Sequence, residues 1–170
     1  MKRLFIGIDN GTTGTIGAIT NDGTAMLSLT PTKSEQSYTK TAKIITRIDY
    51  GTLKAQLKHT LETIKADTVL VALERPMANP TRFAATQSAM RSIEATLIAV
   101  EELQLPFRYI DSKEWQKVML PSGIVGGPQL KKASADIGTR SYPQFAELIK
   151  RHGDADGILI AEYLLKSTKQ

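Results

Sequence analysis

Three segments of the chain carry acids where acids are costly. Asp9 closes the apolar run LFIGID, Glu74 closes TVLVALE, and Asp154 and Asp156 stand just ahead of the apolar run ILIA. A carboxylate at the end of a buried strand gives up hydration, so something must compensate it. If the two strands lie side by side, Asp9 and Glu74 project from one edge of a sheet. Two such charges about 4 Å apart repel by roughly 4 kcal/mol at an effective dielectric near 20. Either one takes a proton or a cation sits between them. An all-oxygen donor set selects a hard ion, Mg2+ with Mn2+ as a substitute. Asp154 and Asp156 admit two readings: cap and dipole partner of the last helix, or further metal ligands.

The chain as a whole suits a polyanionic partner. Its 170 residues carry a formal charge of +5 with a pI near 9.4, and a basic surface around a few acids fits nucleic acid. Arg75, Arg82 and Arg91 follow Glu74 closely, while Lys113, Lys117, Lys131 and Lys132 flank a glycine-rich stretch, Pro121 to Pro128. Each is a candidate phosphate contact, although any one of the lysines taken alone reads first as a solvated surface charge. The absence of cysteine excludes a disulfide framework and a thiolate metal site. The apolar run behind the N-terminus is too short for a signal peptide or a membrane span. Trp115, the single tryptophan, reads as core packing of a short helix.

The elements that must position these acids follow from pattern. Leu4–Asp9, Thr15–Thr20 and Thr24–Leu29 read as strands, the last two joined by the hairpin signal Asn21-Asp22-Gly23. Thr30–Lys43 is polar and aperiodic and reads as a mobile loop carrying Lys33, Lys40 and Lys43. A helix over about Tyr50–Lys65 places Leu53, Leu57, Leu61 and Ile64 on one face. A buried strand at Thr68–Leu73 follows, then a long helix over about Thr81–Leu103 and a strand at Phe107–Ile110. Ser112 is a suitable N-cap for a helix to Met119. Further helices are expected at about Gln129–Thr139 and Asp154–Lys166. This order predicts one α/β domain over residues 1–170: a mixed five-stranded sheet, three strands in an antiparallel meander plus two more, with helices on both faces.

Taken together, GIDNGTTG, LERPM and DADGILIAEYL resemble, in order and spacing, the three motifs of the RuvC-type Holliday junction resolvases of the ribonuclease H-like superfamily, especially the phage-borne branch. The resemblance covers most of the chain. It implies a crossover junction endodeoxyribonuclease, a cytoplasmic homodimer that makes paired cuts in a four-way DNA junction. It implies two metal ions, Asp9 bridging both, Glu74 binding one and the helix acids the other. It also turns the loop after Glu74 and the Lys131–Lys132 region toward the junction, and puts Met77 where relatives carry a wedge. Dimer contacts are expected on the long helix after Pro80.

Two departures from the family pattern stand out. Asn10 replaces the usual proline after the first Asp, which a turn tolerates. The family places an Asp or His three or four residues before the helix Asp, and here Gly153 stands three before Asp156. His152, four before, shares a face with Asp156 on a continued helix; Asp154, two before, can turn inward if the helix starts there. Both stay open, with His152 as a general base if it lies outside the metal shell. Two other functions fit parts of the pattern: a ribonuclease H-like nuclease acting on structured RNA, and a small ATP-binding protein of the sugar-kinase or actin-like fold. For the latter, GIDNGTTG would cradle phosphate, but 170 residues leave no room for a second, closing domain.

Overall fold

Leu4, Ile6 and Ile8 alternate with Phe5 and Gly7, so the first strand sends apolar or minimal side chains to both faces and must lie inside a sheet. The computed structural model describes residues 1–38, 40 and 43–168 and places this strand at the centre. In chain order the elements are β1 (Arg3–Ile8), β2 (Thr15–Thr20), β3 (Ala25–Leu29), β4 (Thr32–Gln36), β5 (Ile44–Ile48), α1 (Tyr50–Ile64), β6 (Thr68–Glu74), α2 (Phe83–Glu102), β7 (Phe107–Ile110), α3 (Ser112–Met119), α4 (Gly127–Ser141), α5 (Ala146–His152) and α6 (Asp156–Ser167). The main sheet has five strands in the order β3-β2-β1-β6-β7. β1, β2 and β3 form the expected antiparallel meander, and β6 and β7 continue it in parallel with β1.

Each face of the sheet has its own core. Leu4, Ile6, Ile8, Val71 and Leu73 pack with residues of α1 and α2 on one side. Phe5 and Ala72 pack on the other with Trp115 and Met119 of α3, Ile149 of α5 and the apolar run of α6. No helix among the described residues is long and apolar enough to cross a membrane.

The close seat of α6 depends on two glycines. Gly7 and Gly17 are cross-strand partners on β1 and β2. A Cβ on Gly7 would lie 2.4 Å from the backbone of Gly157 and Ala161, and one on Gly17 would lie 2.2 Å from Ile158 Cα. The pair forms a notch into which the first turns of α6 settle. Thr15 Oγ1 then accepts from Gly157 N at 2.9 Å, which fixes the helix start against the mouth of β2.

Several boundaries differ from those read in the sequence. The stretch Thr30–Lys43, expected as a loop, contributes β4 and pairs with β5 as a separate two-stranded ribbon; residues 39, 41 and 42 of that expectation lie outside the described residues. β4 is polar throughout, with Ser34 and Thr46 paired across the ribbon and Glu35 held by Arg47 and Lys33, and β5 carries Ile44, Ile45 and Ile48 without alternation, so neither strand shows the apolar alternation that betrays one. The N-cap of α3 is Asp111, one residue before Ser112, because Asp111 and Glu114 close a reciprocal capping box. The long helix starts at Phe83 after a short 3-10 turn at Pro80–Arg82. The seven-residue helix α5 was not expected, and α6 begins at Asp156, not Asp154.

Candidate active site

The parallel register of β1 and β6 pairs Ile8 with Leu73. The next residue on each strand is therefore Asp9 and Glu74, side by side at one sheet edge. From the opposite side α6 delivers Asp156 at its first residue. Ligand oxygens of Asp9, Asp154 and Asp156 all lie within 4.8 Å of one another. Glu74 completes the group: it repels the Asp9 carboxylate and shares a hydrogen bond with it.

The electrostatics show the strain of that convergence. Loss of hydration, then repulsion from Glu74 and Asp156, push the Asp9 carboxyl well above its ordinary 3.8. The Asp156 carboxyl is raised from 3.8 to about 7, first by lost hydration and then by Asp154, with the Ser134 hydroxyl pulling the other way. Four acid side chains and no softer ligand make a site whose charge asks for a hard divalent cation. The residues present fit such an ion.

Neutral and cationic donors hold the acids in place. Trp115 Nε1 donates to Glu74 Oε1 at 2.8 Å from a fully buried ring. Ser134, also fully buried, donates to Asp156 Oδ1 and accepts from Ala155 N at 3.0 Å. Asp154 has no exposed surface; Lys131 Nζ meets its Oδ2 at 2.9 Å, and Asp156 N donates to its Oδ1 at 3.3 Å. The bond to Asp154 raises the Lys131 pKa. Neither Trp115 nor Ser134 was singled out for this part in the sequence. An indole or hydroxyl becomes a carboxylate partner only through tertiary placement.

The same geometry separates the two candidates for the fourth group. The continued helix that would align His152 with Asp156 does not exist, because α5 ends at Gly153, whose φ of +101° is left-handed. His152 sits behind Asp154, its Nε2 3.5 Å from Asp154 Oδ1, without a hydrogen-bond partner among the described residues. Asp154, released from the helix, turns into the acidic group.

The fold itself has solved counterparts. A T. thermophilus RuvC in complex with a Holliday junction substrate superposes with a TM-score of 0.52 at 15% identity, over 99% of this chain and 96% of that one. The chain has the RuvC fold. A second structure of Thermus thermophilus RuvC matches with a TM-score of 0.48 at 14% identity, over 99% of this chain and 97% of that one. No protein-family model matches the chain, and no curated protein matches it in sequence.

On this RuvC fold the candidate DNA contacts fall into two sets. Arg82, Lys113, Lys117 and Lys132 are exposed, and Met77 is 75% exposed on the loop after Glu74. Lys131, by contrast, is committed to Asp154 and belongs to the acidic group. Arg75 stacks over the Tyr109 ring at 5.5 Å and bonds Asp111 at 3.3 Å. Arg91 points to the β4–β5 ribbon, where Nη1 donates to Tyr38 Oη at 3.0 Å.

Proposed function

We propose that the chain is a divalent-metal-dependent endonuclease that resolves branched DNA by hydrolysing phosphodiesters. The observation that carries the proposal is the meeting of Asp9, Asp154 and Asp156 within 4.8 Å, beside Glu74, at the sheet edge of a RuvC fold. These four carboxylates are the proposed ligands of Mg2+, two ions in all, with Mn2+ able to substitute. Bound there, such ions activate a water and stabilise the oxygen that leaves phosphorus.

The chain's own residues do the rest. Trp115 and Ser134 hold Glu74 and Asp156 in orientation without adding a positive charge that would compete with a metal. His152 supports Asp154 from behind. Arg82, Lys113, Lys117 and Lys132 take backbone phosphates, which position a duplex arm without reading its sequence.

The proposal includes a homodimer, since a two-fold enzyme suits a branched substrate with two equivalent strands. Phe83, Met90 and Ile98 leave an exposed apolar line along α2. A mostly apolar groove of about 790 Å³ runs between that helix and the β4–β5 ribbon. The occupant we assign is α2 of a second copy. A cytoplasmic setting, where branched DNA arises, follows from the same reading.

The test is a substrate panel of a synthetic four-way junction, a linear duplex and an RNA hairpin, each with Mg2+ or with EDTA. Paired nicks in the junction, in Mg2+ only, are expected. RNA cleavage without junction cleavage, or ATP turnover in place of either, would contradict the proposal.

A further inference from the structure

Asp156 opens α6 and Glu74 ends β6. Ligand distances in a metal site hold to about 0.2 Å, so the spacing of these two acids needs more than strand register, which places only backbone. The link between them is α3. Its Trp115 donates to Glu74. The residue before it, Glu114, is gripped from α6, where Tyr163 Oη donates to Glu114 Oε1 at 2.6 Å. Tyr163 lies on the same helix as Asp156, about two turns further on. One helix therefore carries a proposed metal ligand at its start and, two turns later, holds the element that aims another.

The bond matters because α3 is short. Its eight residues are too few to make a stable helix alone. Trp115 and Met119 bury its inner face, but apolar packing is not directional, whereas an N–H bond weakens steeply off its line. At the outer end, Glu114 closes the capping box with Asp111, and Arg75, next to Glu74, meets Asp111 Oδ1 at 3.3 Å. Asp111 and Arg75 are exposed. The Tyr163 bond is of another kind, since it joins α3 to a different layer from a ring that is only 9% exposed. Arg108 stands over that ring at 5.9 Å and donates from Nη2 to Ser167 Oγ at 2.6 Å, which holds the ring from its far side along α6. A hydroxyl on a carboxylate is a charge-assisted pair, stronger and more directional than a neutral one. The bond to Glu114, and after it lost hydration, raise the Tyr163 phenol above its ordinary 10.0, so it remains a donor at neutral pH.

We propose that Tyr163 and Glu114 are positioning residues: their hydrogen bond sets where α3 holds the Trp115 indole, and so aims Glu74 at the metal. The inference rests on the nuclease reading above. Neither residue touches metal or DNA in it. Both act through Trp115.

The experiment uses the full-length protein without DNA. Trp115 is the only tryptophan, so its indole N–H gives a single signal in nuclear magnetic resonance. In metal-free Tyr163→Phe that signal should move upfield, as the bond to Glu74 loosens. Mn2+ affinity, by electron paramagnetic resonance, should fall by about 3- to 10-fold, less than for a direct partner of a ligand. Glu114→Ala, at an exposed position, should do the same and serves in its place if Tyr163→Phe does not fold. Glu114→Gln keeps an acceptor for the phenol and should retain most of the wild-type signal and affinity. In a Trp115→Phe background, Tyr163→Phe should weaken Mn2+ binding by less than about twofold, because the path is already cut. Tyr142→Phe is the control. It deletes another phenol bond to α6, the one to Glu162 at 3.1 Å, and should leave both readouts unchanged. An unmoved indole signal or unchanged Mn2+ affinity in Tyr163→Phe overturns the inference. So does an equal loss of affinity in the Trp115→Phe background, or in Tyr142→Phe. Wild type that binds no Mn2+ would overturn the metal-dependent nuclease reading instead, and the indole signal of the metal-free protein would still decide this inference.

Discussion

Trp115 Nε1 lies 2.8 Å from Glu74 Oε1, and the indole that makes this bond is fully buried. The contact joins the α3 core to the strand-end acid that sits beside Asp9. An indole N–H donates only, so it fixes one carboxylate oxygen and leaves the other free to face the site. Partners of this kind govern how well a metal ligand is aimed.

The first prediction tests that contact. Trp115→Phe keeps a ring in the core and deletes the N–H. Mg2+ required for half-maximal cutting should rise by about 10- to 100-fold. Mn2+ affinity measured by electron paramagnetic resonance should fall in parallel. A loss of thermal stability with unchanged Mn2+ affinity would leave Trp115 as core packing alone.

A second prediction concerns the fourth acidic group. Asp154 faces Asp9 and Asp156, whereas His152 stands behind it. Asp154→Asn should abolish Mg2+-dependent cutting, and His152→Ala should reduce it by a smaller factor. Cutting rates in titrated Mg2+ decide the matter. The reverse order would restore His152 as the ligand.

The third prediction is a pH dependence. The Asp156 carboxyl is raised from 3.8 to about 7 in the folded protein. Between those values the unfolded chain has released a proton that the folded chain still holds, so rising pH favours unfolding. The contribution of Asp156 is fully present below the unfolded value and is lost as pH rises through about 7. In EDTA, the Tm of wild type relative to Asp156→Asn should therefore fall between about pH 5 and about pH 8. Mg2+ at the higher pH should restore it by binding only the folded state. A parallel pair of Tm profiles would contradict the raised carboxyl.

Gly17 supplies the fourth. A methyl group there meets Ile158 Cα at 2.2 Å, and backbone cannot give way as a side-chain tip can. Gly17→Ala should cost about 1–3 kcal/mol in urea unfolding, the usual penalty of overpacking. It should also weaken Mn2+ binding, because α6 carries Asp156 to the site. Unchanged metal affinity in a folded Gly17→Ala protein would mean that α6 reaches its place without the notch.

Much of this site was legible in the sequence for one physical reason. A charged residue that ends a buried apolar run has few structural roles, so Asp9 and Glu74 stood out, and the parallel register of β1 and β6 brought them together. The meander was equally readable from its alternation and its Asn-Asp-Gly turn. The ribbon was not, because β4 is polar throughout, the isoleucines of β5 do not alternate, and the pair is stabilised by cross-strand contacts and by Tyr38 on Arg91. Helical spacing pointed to His152, and a left-handed Gly153 broke the helix on which that argument relied. Lys131 read as a phosphate contact, yet lies against Asp154. Such pairings depend on which elements pack together, which residue type alone does not encode.

The central claim is that this acidic edge hydrolyses branched DNA with divalent metal. Its most direct test is single-turnover cutting of an end-labelled four-way junction by wild type and by Asp9→Asn, with junction binding followed by fluorescence anisotropy in the same samples. Wild type should cut two opposing strands with Mg2+ or Mn2+ and none in EDTA. Asp9→Asn should bind at least as tightly, since one charge that repels phosphate is gone, and should not cut. Cutting in EDTA, or cutting by Asp9→Asn at the wild-type rate, would contradict the account.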